Sequence, residues 1–257
     1  WTGKLESKED YDSADSYGAT FFSALLRYYK ATGDRGFVVN HRAELEEIAG
    51  AVLATQTSDG LTWAKVNYRM KYLMDNAEVY RGLLDLAELY REAVSDEERA
   101  VHYEAEAARV RDAIEKKMWQ SDHYTLALDA AGRALPFNGK NWYPDATSQL
   151  FPIWLGVIDP RSEKAVQIYH LFNANQPGWV ELEKEDPFPW AQVGYTAALV
   201  GDFERADAYV RAVRRRYIDV GWRNWPWHPA EASFYVLTLD LLRQAVEKGE
   251  WQPARTR

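Results

Sequence analysis

The sequence predicts an all-helical fold in which two kinds of helix alternate. Three observations point there. Apolar residues recur at helical spacing along most of the chain, alternate helices open with similar small and acidic runs, and strand-like alternation is confined to one stretch. With 257 residues, 47% of them hydrophobic and 27% charged, the chain is long enough to bury a substantial core.

From Asp12 to Lys30 the apolar residues Tyr17, Phe21, Leu25 and Tyr28 fall on one face, and Gly33 suits a helix C-terminus. Val38 to Gln56 repeats the spacing through Leu45, Ile48, Val52 and Leu53, then meets a Ser58-Asp59-Gly60 turn. A third helix spans about Asp75 to Ala93, with Ala77, Tyr80, Leu84 and Ala87 inward. Ser95 and Glu98 form a capping box for a fourth, ending near Met118. Tyr124 to Phe137 alternates as a strand, turns through Asp129 to Gly132 and returns, which predicts a β-hairpin. Helices resume from Asp145 to Leu155 and again from Asp159-Pro160, where Asp caps and Pro takes the first helical position. The last three are read at Trp190–Val200, Phe203–Tyr217 and from His228-Pro229 to Lys248.

Helix starts recur in kind. Asp12-Ser13-Ala14-Asp15 matches Asp75-Asn76-Ala77-Glu78, and similar starts follow at Asp145-Ala146-Thr147-Ser148, Pro189-Trp190-Ala191-Gln192 and His228-Pro229-Ala230-Glu231. The intervening helices open with surface-style starts such as Ser95-Asp96-Glu97-Glu98 and Gly201-Asp202-Phe203-Glu204. An inner helix surrounded by protein and an outer helix with one wet face would differ in this way. The repeat spacings, roughly 63, 70, 44 and 39 residues, are too uneven for a solenoid.

Those helix starts, together with Met118-Trp119 leading through the hairpin to Pro136-Phe137, resemble the six-hairpin glycosidase superfamily over most of the chain. The resemblance implies an (α/α)6 toroid, with residues 1–257 as one domain. It implies twelve helices where about nine are read, so an N-terminal hairpin is expected to be missing from this stretch of sequence.

In such a toroid the connections into the inner helices emerge on one rim. Here those connections are long and aromatic: Trp63, Tyr68 and Tyr72; Trp142 and Tyr143; Trp179 and Trp190; Trp222, Trp225 and Trp227. The opposite connections, such as Thr32-Gly33-Asp34 and Gly201-Asp202, are short. Functional loops tend to cluster on one face of a rigid scaffold, and flat rings with polar edges suit the C–H faces of sugars. Plugging the barrel end would also use them.

Carboxylates fall on the same rim. Asp75 and Asp15 are the first candidates for catalysis, followed by Glu231, Asp145 and Asp12, although each of them alone would equally serve as a helix cap. Glu78, Gln192 and His228 join the aromatics as candidate substrate contacts. Glycoside hydrolysis uses one protonated and one ionised carboxyl, and the resemblance implies inversion with the two roughly 6.5–9.5 Å apart. Lys65, Arg69, Lys71, Lys140 and Arg223 would suit an acidic sugar, or simply be solvated.

Composition narrows the classes. The net charge of -8 argues against nucleic acid. The absence of cysteine removes disulfides, thiolate catalysis and cysteine-ligated zinc. His41, His102, His123 and His170 lack ligand spacing and no loop has calcium-binding spacing, so neither metal nor cofactor is expected. No apolar run approaches the roughly 20 residues of a membrane span, and Trp1 to Glu9 lacks a signal-peptide layout. The aromatic loops and missing cysteine fit a secreted or periplasmic protein, with the cytoplasm left open.

The leading expectation is a glycoside hydrolase acting on an oligo- or polysaccharide, an acidic one being an option. Three alternatives stay open. A polysaccharide lyase would use Tyr72 or Tyr143 with Arg69, a sugar epimerase would need a second histidine beside His228, and a non-catalytic binder would need only the aromatics. Carbohydrate is the expected partner, and the sequence leaves the oligomeric state open.

Overall fold

The computed structural model describes residues 11–222 and 224–253, so the expectations for Trp1 to Glu9 and for Arg223 lie outside the described residues. The all-helical class holds. Among the described residues there are ten α-helices and one sheet of two very short strands. They group into two compact units, one built on residues up to Trp119 with Ala127–Leu135, the other on Gln120–Leu126 and the chain from Pro136 onward.

The first unit holds α1 (Asp15–Thr32), α2 (Arg35–Asn40), α3 (Arg42–Leu53), α4 (Leu73–Leu89) and α5 (Glu97–Ala113). Helix α4 is its centre, packed between α1 and α5. Where α1 crosses α4, a Cβ on Gly82 would lie 2.3 Å from the carbonyl oxygen of Ala19. That approach decides which side of α1 turns inward: Asp15, Ser16, Ala19, Phe22, Leu25 and Leu26 are buried. Tyr17, Phe21 and Tyr28, expected on the inner face with Leu25, are exposed instead. Small residues at the crossing outrank the aromatic periodicity, because only they let the two backbones meet.

The helix expected over Val38–Gln56 is two helices, broken at His41. Asp34 starts α2 by accepting from the Phe37 amide at 2.9 Å. The cap of α5 is Asp96, which accepts from the Arg99 amide at 3.0 Å, while Ser95 takes the left-handed conformation that closes the preceding helix. Helices α4 and α5 both widen in their last turn, at Tyr90–Val94 and Ile114–Met118.

The predicted hairpin forms in reduced size. Leu128 bridges Ala134, and the Asp129 carboxylate accepts from the amides of Ala131 and Arg133 to close the turn. Its first strand, β2 (Ala127–Leu128), also pairs antiparallel with β1 (Lys71–Tyr72), with Lys71 opposite Leu128.

The second unit holds α6 (Phe151–Trp154), α7 (Glu163–Asn175), α8 (Ala191–Val200), α9 (Phe203–Val213) and α10 (Pro229–Glu247). Helix α8 packs on α9 and α10, and Gly194 lets it meet the Tyr209 ring, which a Cβ would approach to 2.4 Å. The helix expected at Asp145–Leu155 is replaced by a wide turn, Trp142–Ala146, and the short α6. Pro152 falls inside the expected span and lacks the amide a continuous helix would need there, so the helix starts anew at Phe151 with Pro152 in its first turn. Helix α7 starts later than Asp159-Pro160 predicts: Ser162 caps it, accepting from the Ala165 amide at 3.3 Å. Helix α9 runs on into the wide turn Arg214–Ile218.

Candidate functional site

The carboxylate cluster of the first unit is built by the first turns of α1 and α4 and by the loop between α3 and β1. That loop is pinned to α1 by an Ala14 amide donating to the Ala64 carbonyl at 2.6 Å. Asn76 ties it to α4, accepting from the Thr62 amide at 2.8 Å and donating to the Tyr72 carbonyl at 2.9 Å. Thr62 then reaches α1, its hydroxyl donating to Asp15 Oδ2 at 2.6 Å, while the Ser16 amide donates to Asp15 Oδ1 at 2.8 Å.

Four carboxyl groups share this corner. Asp75 and Glu78 stand one turn apart on the same side of α4, a spacing that makes them neighbours. Burial pushes the Asp75 carboxyl up to about 8, helped by the charges of Asp15, Glu78 and Asp12. Burial also pushes Glu78 up to about 8, with Asp15 adding and a hydrogen bond from Ser16 opposing. Asp15 is raised too, by burial, against the donors of Thr62 and Ser16. Asp15 is fully buried, so it acts on its surroundings through its charge and hydrogen bonds rather than by touching a ligand. Asp12 is exposed. The cluster thus holds the Asp75 and Glu78 carboxyls toward their protonated forms near neutral pH, as a group that donates a proton there must be.

Aromatic side chains border this corner. Tyr72 shares a 2.8 Å hydroxyl–hydroxyl hydrogen bond with the exposed Tyr68, and Arg69 lies 4.8 Å from the centroid of the Trp63 ring. Burial and the Tyr68 contact hold the Tyr72 hydroxyl well above the ordinary tyrosine range, which makes it a poor base for lyase chemistry. Two of the loop cations are already engaged: Lys65 sits over Tyr11, and Lys71 is buried against Asp59 at 2.6 Å.

In the second unit the candidate carboxylates hold backbone. Asp145 accepts from the Asn138 amide at 2.9 Å and from Asn141 Nδ2 at 2.5 Å, fixing the turn before Trp142. Glu231 accepts from the amides of Trp190 at 3.2 Å and Ala191 at 2.7 Å, so it caps α8 from α10. Burial raises its carboxyl in spite of those donors.

The second unit's aromatics divide into core and surface. Trp179 is buried and donates to Asn173 Oδ1 at 2.8 Å. Trp142 is buried against Trp190 and Phe172. Trp190 has a left-handed backbone, φ 59°, which non-glycine residues rarely adopt. Its Nε1, that of Trp142 and Gln192 Oε1 are buried without a hydrogen-bond partner among the described residues. Tyr143, Trp222 and Trp225 are exposed, and Trp225 stacks on His228 at 5.3 Å between ring centroids. Trp227 is half-buried and stacks on Tyr217.

Sequence reasoning missed Thr62, Asn76 and Ser16, which organise the acidic corner. Asn76 lies inside the recurring helix starts and Ser16 directly follows one, so that repeat was their signal. Thr62 had none, because its role exists only once the loop folds back onto α1. Among the described residues no group of three or more His, Cys, Asp or Glu side chains is arranged to hold a metal ion, and no helix is long and apolar enough to cross a membrane.

No family model matches the sequence, and no curated protein matches it. Among solved structures, the chain is similar to the crystal structure of a GH78 family rhamnosidase of Bacillus sp. GL1, at 16% identity and a TM-score of 0.56. The match covers 86% of this chain and 22% of that one, so this chain spans about a fifth of the rhamnosidase's length. At that identity the likeness carries the fold alone.

Proposed function

We propose that this chain is a glycoside hydrolase, or the helical domain of one, whose acid–base groups lie at the start of α4 and in the segment leading into α1. The observation that carries the reading is the pair Asp75 and Glu78, one turn apart and both held toward the protonated form at neutral pH by burial and by the charge of Asp15. Protonation of the leaving oxygen needs such a group, and the exposed Asp12 is the carboxyl of this corner that solvent reaches, the place for activating water. Asp75 and Glu78 are the acid candidates, and Tyr72 and Trp63, on the loop that leads into α4, offer ring faces for a sugar. The glycosidase-like fold supports the same reading. Inversion, implied by the resemblance, is the expected stereochemistry.

The test is a reducing-end assay against neutral and acidic polysaccharides, with ultraviolet absorbance read in parallel. New reducing ends without absorbance, abolished in Asp75→Asn or Glu78→Gln, are the expected result. Absorbance from an unsaturated uronate would replace hydrolysis by elimination. No reaction on the whole panel would leave a carbohydrate-binding role.

A further inference from the structure

The second unit offers a chemistry different from the acidic corner of the first. After α9 the chain passes through the wide turn Arg214–Ile218 and then the aromatic loop leading to α10. Between this stretch and the loop before α8 lies an open cleft of about 570 Å³, lined by Pro187, Arg216, Tyr217, Val220, Trp222 and Pro226. That volume is in the range of small-molecule sites.

The walls are fixed by contacts behind them. The Tyr217 ring stacks on Trp227, with centroids 5.5 Å apart and planes within 12°. Trp222 Nε1 donates to the Asn224 carbonyl at 2.6 Å, which leaves the indole face open. Pro187 sits in a loop held by Lys184, whose ammonium donates to the carbonyls of Asp186, at 2.7 Å, and Phe188.

The charge is the discriminating feature. Three arginines follow one another. Arg214 pairs with Asp219 at 2.9 Å and Arg215 with Glu181 at 2.9 Å. Arg216, the one that lines the cleft, has no hydrogen bond or ion pair among the described residues. A guanidinium left unpaired beside apolar walls is matched by a carboxylate, which takes its planar fork with two parallel hydrogen bonds. A phosphate dianion generally calls for more donors than this cleft presents. The flat apolar faces of Trp222 and the two prolines suit the C–H face of a ring that carries such a carboxylate.

We propose that this cleft is a binding site for a uronic acid residue of a saccharide, with Arg216 taking the carboxylate and Trp222 the ring face. The inference rests on the carbohydrate reading above but not on catalysis. It is tested by titrating the protein with trigalacturonate, a neutral trisaccharide (maltotriose) and inorganic phosphate, following tryptophan fluorescence and heat. Trigalacturonate should bind, with affinity falling about 10-fold or more in Arg216→Ala and in Arg216→Gln. Trp222→Ala should weaken it as well, while Arg216→Lys should retain part of it. Because Arg216 is exposed, these variants should keep the parent circular dichroism and melting temperature. Failure of trigalacturonate to bind, equal binding of maltotriose, preference for phosphate, or binding indifferent to Arg216 would each overturn the site. Arg216-dependent binding without any hydrolysis would keep this inference and remove the hydrolase. Hydrolysis with no Arg216-dependent binding would do the reverse.

Discussion

The hydroxyl of Thr62 donates to Asp15 at 2.6 Å from a loop whose own amide is held by Asn76, so one short chain of hydrogen bonds joins the first turn of α1 to the first turn of α4. All three side chains are buried. The contact therefore sets both the geometry and the charge of the acidic corner. Thr62→Val is isosteric and removes only the donor, leaving a buried carboxylate undersupplied at a cost of about 1–3 kcal/mol. Urea unfolding at pH 7 should show that loss. Because the donor favours the ionised form of Asp15, its removal raises the carboxyl further, and the deficit relative to the parent should shrink as the pH is lowered. Thr62→Ser should recover most of it.

The raised carboxyls of Asp75 and Glu78 make stability depend on pH in a defined direction. Their folded-state values lie near 8, far above those of an unfolded chain, so between about pH 4 and 8 the folded state holds more protons. Their contribution is fully present at the acid end of that window and is lost as pH rises through 8. Urea midpoints should fall from pH 5.5 to pH 8.5, and Asp75→Asn or Glu78→Gln should flatten the slope. A slope of the opposite sign would show that neither group is held protonated. The depressed carboxyls of Asp34, Asp129 and Asp240 do not blur this reading, because their contributions are lost only below the ordinary carboxylate range.

The helical class was legible because apolar spacing survives errors at individual residues, and the paired starts at Asp12–Asp15 and Asp75–Glu78 announced the acidic corner. Burial on α1 was not legible. The crossing at Ala19 and Gly82 is a backbone approach, and its sequence signal is merely the smallness of two residues distant in the chain. The position of Glu231 at the start of α10 was legible too, but its partners, the Trp190 and Ala191 amides, lie on another helix. A carboxylate that caps its own helix and one that caps a neighbour look alike in sequence. Thr62 and Arg216 were hidden for a related reason: what marks them is a partner gained or lacking in three dimensions.

Glu231 is accordingly expected to act on stability. Its two oxygens satisfy two amides at the start of α8, where the left-handed Trp190 leaves the helix without a side-chain cap of its own. Glu231→Ala should cost about 1–3 kcal/mol in urea unfolding, the range for buried amides left without an acceptor. Glu231→Gln keeps one acceptor oxygen and should lose less. If Glu231→Gln instead leaves stability intact and abolishes turnover, Glu231 belongs to the reacting groups.

A pair of glycine substitutions tests the close approach of α1 and α4. In Gly82→Ala the new Cβ would lie 2.3 Å from the Ala19 carbonyl oxygen and 2.7 Å from its Cα, and neither atom can swing aside as a side-chain end would. The helices must separate, which opens packing around Phe22 and Leu83, both fully buried. The cost should fall in the range of overpacked cores, about 1–3 kcal/mol or more. Gly50, in the interior of α3, has nothing within 4 Å of where its Cβ would stand. Gly50→Ala should therefore stabilise by about 0.5–1 kcal/mol through helix propensity alone. Thermal melts of the two variants should move in opposite directions. The separation forced by Gly82→Ala would also move Asp15 relative to Asp75 and Glu78, so the same variant should weaken the pH dependence of stability, whereas Gly50→Ala should leave it unchanged.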